Sequence, residues 1–264
     1  IIHRGGTILK TARSERFMSA TGRKAAFESL TAFDIDACIA IGGNGTFTGA
    51  KVFSEEHNIP FIGIPGTIDN DLYGTDFTIG FDTAVNTAIE AVDRIRDTAD
   101  SHNRLFFIEV MGRHAGYIAL HTAIGSGAES VLIPEVDMDL DRLTELLLKN
   151  ARRRKLFSLV IVAEGNKIGS TQEIARIIKE RIENFDIRYA IIGHLQRGGA
   201  PNSLDRVLAS RLGYAAVEGL MKGEQNVMAG IINDHVVFTS LSDAISKEKP
   251  LENDLVKMAE ILAM

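Results

Sequence analysis

Two aspartates, Asp69 and Asp71, stand two residues apart in the run Pro65-Gly66-Thr67-Ile68-Asp69-Asn70-Asp71, with Thr67 beside them. One carboxylate of such a pair suits a general base for a hydroxyl; the other orients it or meets metal-bound water. The same residue types also suit a turn that satisfies its own backbone. Upstream, Gly42-Gly43-Asn44-Gly45-Thr46 follows the apolar run 38–41 and opens a helix. Glycines let a backbone approach a phosphate, and the first N–H groups of a helix attract anions. A phosphate cradle with acids near it implies phosphoryl transfer to a hydroxyl. The cradle is not a G-x-x-x-x-G-K-[ST] loop. After Gly43-x-Gly45 the third glycine, Gly49, falls one position late for the dinucleotide fingerprint, which disfavours a dinucleotide-dependent dehydrogenase.

Four arginines form a second group. Arg104, Arg113, Arg188 and Arg197 fall at expected strand boundaries, interleaved with Glu164 and His194. Guanidinium forks match phosphate oxygens bidentately, so together they suit a phosphate-ester clamp. Singly, each arginine also reads as a solvated charge, Glu164 as a helix-approach carboxylate and His194 as a polar turn residue. The run Arg152-Arg153-Arg154-Lys155 closes an expected helix, where it complements the helix dipole; an effector phosphate site is its second reading.

Such residues need strands to carry them to one place. The patterning predicts strands over 36–41, 59–64, 104–110, 130–133, 157–163, 188–192, 227–232 and 235–238. Helices are expected over 22–30, 46–57, 80–97, 115–125, 139–152, 171–183, 203–221 and 253–263, and 193–199 as a loop. Alternation of this kind makes parallel sheets covered by helices on both faces. The strands are too many for one sheet, so the expected fold is α/β: two similar three-layer lobes, mainly parallel, with an active-site cleft between them. At 264 residues and 45% hydrophobic content the chain has enough material for both cores. A net charge of −6 argues against nucleic acid as a general partner, and no apolar run reaches membrane-spanning length. The single cysteine, Cys38, excludes an internal disulfide and points to a reducing, cytoplasmic setting.

Several motifs together resemble bacterial ATP-dependent 6-phosphofructokinases across nearly the whole chain. They are Gly5-Gly6-Thr7 with Ala12-Arg13, IGGxG at 41–45, PGTIDND at 65–71, GTDFTIGFDTA at 74–84, RDTADSH at 96–102, EVMGR at 109–113 and GHLQRGG at 193–199. The resemblance implies that Asp69 accepts the 1-hydroxyl proton of fructose 6-phosphate, with Thr67 and Asp71 beside it, and that Arg113 is the cation on the transferring phosphoryl group. Met111, Gly112, Glu164, His194 and Arg197 would line the sugar-phosphate pocket. Arg104 and Arg188 would reach that pocket from a neighbouring subunit of a homotetramer. Arg13, Gly43, Asn44, Gly45 and Thr46 would contact ATP. Arg96, Gly127, Glu129, Arg153 and Lys155 would form an effector site for ADP or phosphoenolpyruvate. The implied lobes are 1–79 plus 194–246 for ATP, incomplete at its N-terminal end, and 80–193 plus 247–264 for the sugar phosphate.

Pyrophosphate-using relatives carry an acid where this chain has Gly45 and a lysine where it has Gly66, so the pocket resembles the ATP type. Two departures stand out. The chain opens at Ile1, and the family's first strand and GGDxxGxN-type phosphate loop are not in it, which suggests a fragment or altered ATP binding. Asn44 stands where the family has an aspartate that helps bind Mg²⁺; an amide is a neutral ligand. The competing expectation is a catalytically weak paralogue, a regulatory subunit that binds sugar phosphate or effector.

Overall fold

The computed structural model describes residues 1–99, 104–151, 157–182 and 185–262. Its strands are β1 (Cys38–Gly42), β2 (Phe61–Pro65), β3 (Arg104–Val110), β4 (Ser130–Leu132), β5 (Phe157–Ala163), β6 (Asp186–Ile191), β7 (Val227–Ile232) and β8 (His235–Ser240). Its helices are α1 (Glu15–Met18), α2 (Ala20–Ala32), α3 (Asn44–His57), α4 (Phe81–Ala99), α5 (Tyr117–Ser126), α6 (Leu140–Ala151), α7 (Thr171–Arg181), α8 (Ser203–Met221), α9 (Leu241–Ser246) and α10 (Asn253–Leu262). Residues Gly193–Arg197, expected as loop, form a 3-10 turn. Helices α1 and α9 have no counterpart in the sequence expectation, being too short to show a period.

The chain folds as two units. The first comprises Ile1–Thr67, Asp71–Gly80 and Pro201–Lys249; the second comprises Ile68–Asn70, Phe81–Ala200 and Pro250–Met264. The compact units divide at 80/81, 200/201 and 249/250, near the crossings at 79/80, 193/194 and 246/247 of the lobes that the resemblance implies, and residues 68–70 go with the second unit. Three side-chain bonds lie within the units near these boundaries. Buried Asp205 accepts the Gly80 N–H at 2.7 Å and the Lys249 ammonium donates to the Asp76 carbonyl at 2.8 Å, holding both ends in the first unit. Gln196 accepts from Met111 N at 2.8 Å and keeps the 3-10 turn in the second.

In the first unit the sheet order is β1-β2-β7-β8, parallel except for the β7–β8 hairpin. Period-two alternation sends Ile62 and Ile64 of β2 towards α8, where they meet Leu208, Leu212 and Ala216. The opposite face packs Phe47 of α3 and Leu241 of α9. Gly63 lies there because a Cβ would sit 2.7 Å from the Phe47 ring.

In the second unit the order β4-β5-β3-β6 is parallel throughout. Ile108, Val110, Ile161 and Ala163 face α4 and α5, while Leu105, Phe107, Val160 and Val162 face α6 and α7. Burial on both faces is why β3 and β5 read as near-continuous apolar runs. A capping box between Ser170 and Glu173 starts α7. Gly127, at φ +64°, ends α5 in the left-handed conformation that glycine adopts without a steric cost.

Candidate active site

In the first unit β1 runs out into Gly42-Gly43, and α3 begins at Asn44 with no side-chain cap. The opening N–H groups of α3 are thus left for an anion. Gly42 must be glycine, because a Cβ would lie 2.3 Å from Thr46 Oγ1. Gly43 lies against Thr67, its ideal Cβ position being 3.4 Å from the threonine Cβ. Thr67 is fixed in turn, its carbonyl accepting the Thr78 hydroxyl at 2.6 Å. The Asn44 amide donates to Asp71 Oδ2 at 3.0 Å. The unit thereby brings Gly43, Asn44, Gly45, Thr46, Thr67 and Asp71 together, with open space around Gly45. Arg13 is exposed in the irregular stretch before α1.

A magnesium ion suits this donor set only in part. Among the described residues no group of three or more histidine, cysteine or acidic side chains converges for a metal. Asp71 is the carboxylate bonded to the cradle, its Oδ2 accepting from Asn44 Nδ2. Mg²⁺ is commonly held by one or two carboxylates plus substrate phosphates, so Asp71 would hold an ion that arrives on a nucleotide, with the neutral Asn44 oxygen as a weaker donor.

The second unit carries the other half of the predicted set. Asp69 is buried, 4% exposed, and the Arg113 Nε lies 3.4 Å from its Oδ2. Arg113 extends from the turn after β3, with Gly112 at φ +142° and Arg113 itself at φ +53°. A left-handed non-glycine residue is strained and persists only where its surroundings hold it. Here they do: Glu164 Oε1, just past β5, accepts the Arg113 N–H at 2.6 Å and the Gly112 N–H at 3.3 Å. Gly165 permits the approach, since a Cβ there would fall 1.8 Å from the Arg113 carbonyl oxygen. Glu164, expected as a sugar ligand, is thus also a clasp on the arginine turn. Met111 is buried beneath it, while His194 and Arg197 project exposed from the 3-10 turn.

Arg104 and Arg188 meet on one carboxylate. Asp186 lies 3.2 Å from Arg104 Nε and 2.9 Å from Arg188 Nε. Burial raises its carboxyl pKa, but the Arg188 and Arg104 guanidiniums together outweigh this and hold it below the ordinary value. Of the residues expected at an effector site, three gather where α5 ends. The Arg96 guanidinium donates to the Ser126 carbonyl beside Gly127, and buried Glu129 accepts the Leu159 N–H at 2.5 Å through Oε2. Arg153 and Lys155 lie outside the described residues.

Sequence reasoning singled out neither Gln196 nor Asp186. Gln196 sits inside the quoted GHLQRGG motif, yet nothing in an amide's identity announces burial; Asp186 had a signal in its position two residues before Arg188.

The phosphofructokinase family model matches residues 1–220. An ATP-dependent 6-phosphofructokinase of Cytophaga hutchinsonii is 56% identical over 99% of this chain and 80% of its own length. A Thermus thermophilus protein described as ATP-dependent 6-phosphofructokinase 1 is 51% identical over 100% of the chain and 82% of its own length. Among solved structures, phosphofructokinase from Saccharomyces cerevisiae aligns with TM-score 0.88 and 32% identity, over 92% of this chain and 37% of the yeast chain. A pyrophosphate-dependent phosphofructokinase from Marinobacter aquaeolei, at 24% identity and TM-score 0.80, shares the fold over 98% of this chain and 74% of its own. With the family's model matching most of its length and relatives at half identity or more, this chain belongs to the phosphofructokinase family.

Proposed function

We propose that the chain transfers the γ-phosphoryl group of MgATP to the 1-hydroxyl of fructose 6-phosphate. The observation that carries this is the buried Asp69 carboxylate with the Arg113 guanidinium 3.4 Å away. A carboxylate in that position takes the hydroxyl proton as the new O–P bond forms and the bond to the β-phosphate oxygen breaks. Arg113, 58% exposed at its side chain, has donors left over for charge developing on the moving phosphoryl group. The uncapped start of α3 suits the nucleotide phosphates, and Asp71 the ion they bring. Open space at Gly45, where pyrophosphate users carry an acid, supports a nucleotide as donor. His194, Arg197 and Glu164 would hold the sugar phosphate. The reading as a weak regulatory subunit is not favoured, because half-identical relatives over the full chain are named as enzymes.

Assembly as a homotetramer is part of the proposal. Strand β6 is a sheet edge with Arg188, Tyr189 and Ile191 exposed, and an apolar edge of that kind calls for a partner. The Arg96–Gly127–Glu129 grouping supports an effector site for ADP or phosphoenolpyruvate. No helix among the described residues is long and apolar enough to cross a membrane; a cytoplasmic setting follows from the proposed glycolytic role.

The test is ADP release coupled to fructose 6-phosphate for the chain and for Asp69→Asn. The variant should lose roughly 10²–10⁴ in kcat with little change in the affinity for either substrate. A loss below tenfold would remove Asp69 as the base.

A further inference from the structure

The turn that carries Arg113 leaves three consecutive backbone N–H groups, those of Met111, Gly112 and Arg113, pointing away from any strand or helix ladder. Each is taken by a side chain distant in sequence. Glu164 Oε1 receives two of them. The third, from Met111, goes to Gln196 Oε1 at 2.8 Å, and this amide is 2% exposed. Gln196 Nε2 points at the Ala84 carbonyl of α4, 3.5 Å away. The amide thus spans α4, the end of β3 and the 3-10 turn, all within the second unit.

We infer that Gln196 is a positioning residue for Arg113, acting through the Met111 N–H to fix the left-handed turn that sets the guanidinium on Asp69. The physical argument is one of constraint. A strained φ of +53° at Arg113 persists only where its surroundings hold the backbone that leads into it. Glu164 pins the N–H groups of Gly112 and of the arginine itself. Gln196 pins the entry, two residues before the arginine. The Ala115 N–H to Gly112 carbonyl bond of 2.9 Å closes the turn but anchors it to nothing outside. Removing the Gln196 oxygen strands a buried N–H, which the chain satisfies by shifting the turn, and Arg113 moves with it. Gln196 itself need not touch substrate: its reach is spent on Met111 and Ala84.

This inference rests on the proposed kinase reading for its kinetic arm and on geometry alone for its structural arm. Gln196→Met keeps length and removes both polar atoms, whereas Gln196→Glu keeps an acceptor oxygen at the same reach. For the Met variant kcat should fall about 100-fold, as for a catalytic group displaced by an ångström, with KM for both substrates within about twofold. The Glu variant should recover most of the loss. In an Arg113→Lys background the Met substitution should cost less than about threefold, because the group it positions is already gone. Amide hydrogen exchange at Met111 and Arg113 should accelerate at least about tenfold in Gln196→Met and stay near wild type in Gln196→Glu. An equal kcat loss in both backgrounds, no rescue by glutamate, or unchanged exchange at Arg113 overturns the positioning role. If the wild-type chain turns over no fructose 6-phosphate, the kinase reading fails, and the exchange measurement alone decides the inference.

Discussion

Replacing Asn44 by aspartate tests how the phosphate cradle handles charge. The Asn44 amide now donates to Asp71 Oδ2 at 3.0 Å. In Asn44→Asp that hydrogen bond to a charged acceptor, worth about 1.5–3 kcal/mol, disappears. Two unit charges 3.0 Å apart repel by about 1.4 kcal/mol at the dielectric of water and about 5.5 kcal/mol at an effective value of 20. Asp71 is half-buried and the carboxylates will rotate apart or share a proton, so a net loss of about 2–4 kcal/mol is expected. For a chain of this length that lowers Tm by about 4–8 °C. With a second carboxylate at 44, the pair would hold Mg²⁺ without help from a nucleotide, and the ion would restore about 2–3 kcal/mol if present at a hundredfold excess over its Kd. The wild-type pair, already hydrogen-bonded, gains little from the ion. The assay is a thermal melt of both chains without nucleotide, with and without Mg²⁺, followed by coupled ADP release. A variant as stable as wild type without metal, or one blind to Mg²⁺, refutes the charge argument. Equal turnover would show that Asn44 is harmless to catalysis; a gain of orders of magnitude would show that the amide restrains it.

Two further outcomes follow from the geometry. Gly165→Ala drives a Cβ to 1.8 Å from the Arg113 carbonyl oxygen, so the turn must move; a stability loss of about 1–3 kcal/mol and a fall in kcat like that of Gln196→Met are expected by thermal melt and coupled assay. Asp186 should titrate below its ordinary value of about 3.8, read by carboxyl NMR. Since its folded pKa is depressed, the clasp on Arg104 and Arg188 is fully present above the ordinary value and is lost as pH falls through the lowered one. A midpoint above 3.8 would contradict the arrangement.

Local information was enough for much of the chain. Strands β3, β5 and β7 and helix α8 begin and end where apolar patterning put them, because the strands are short, largely buried apolar runs and the helix starts at a recognisable cap, Asn202. The acids and glycines of 42–46 and 65–71 suggested phosphate chemistry only as a set, because glycine and aspartate singly also suit ordinary turns. What patterning could not supply is anything that depends on residues distant along the chain. Glu164 reads as a ligand until the fold lays it under the N–H groups of Gly112 and Arg113, 51 or more positions earlier. Gln196 reads as motif filler until burial leaves its oxygen the acceptor for Met111, 85 residues away. Asp71 and Asn44, 27 residues apart, become partners only when β1 and β2 pair in register. Residue type and spacing named the chemistry. Tertiary packing decided which carboxylate serves as the buried partner of Arg113 and which holds its turn in place, because a hydrogen bond is set by distance in space.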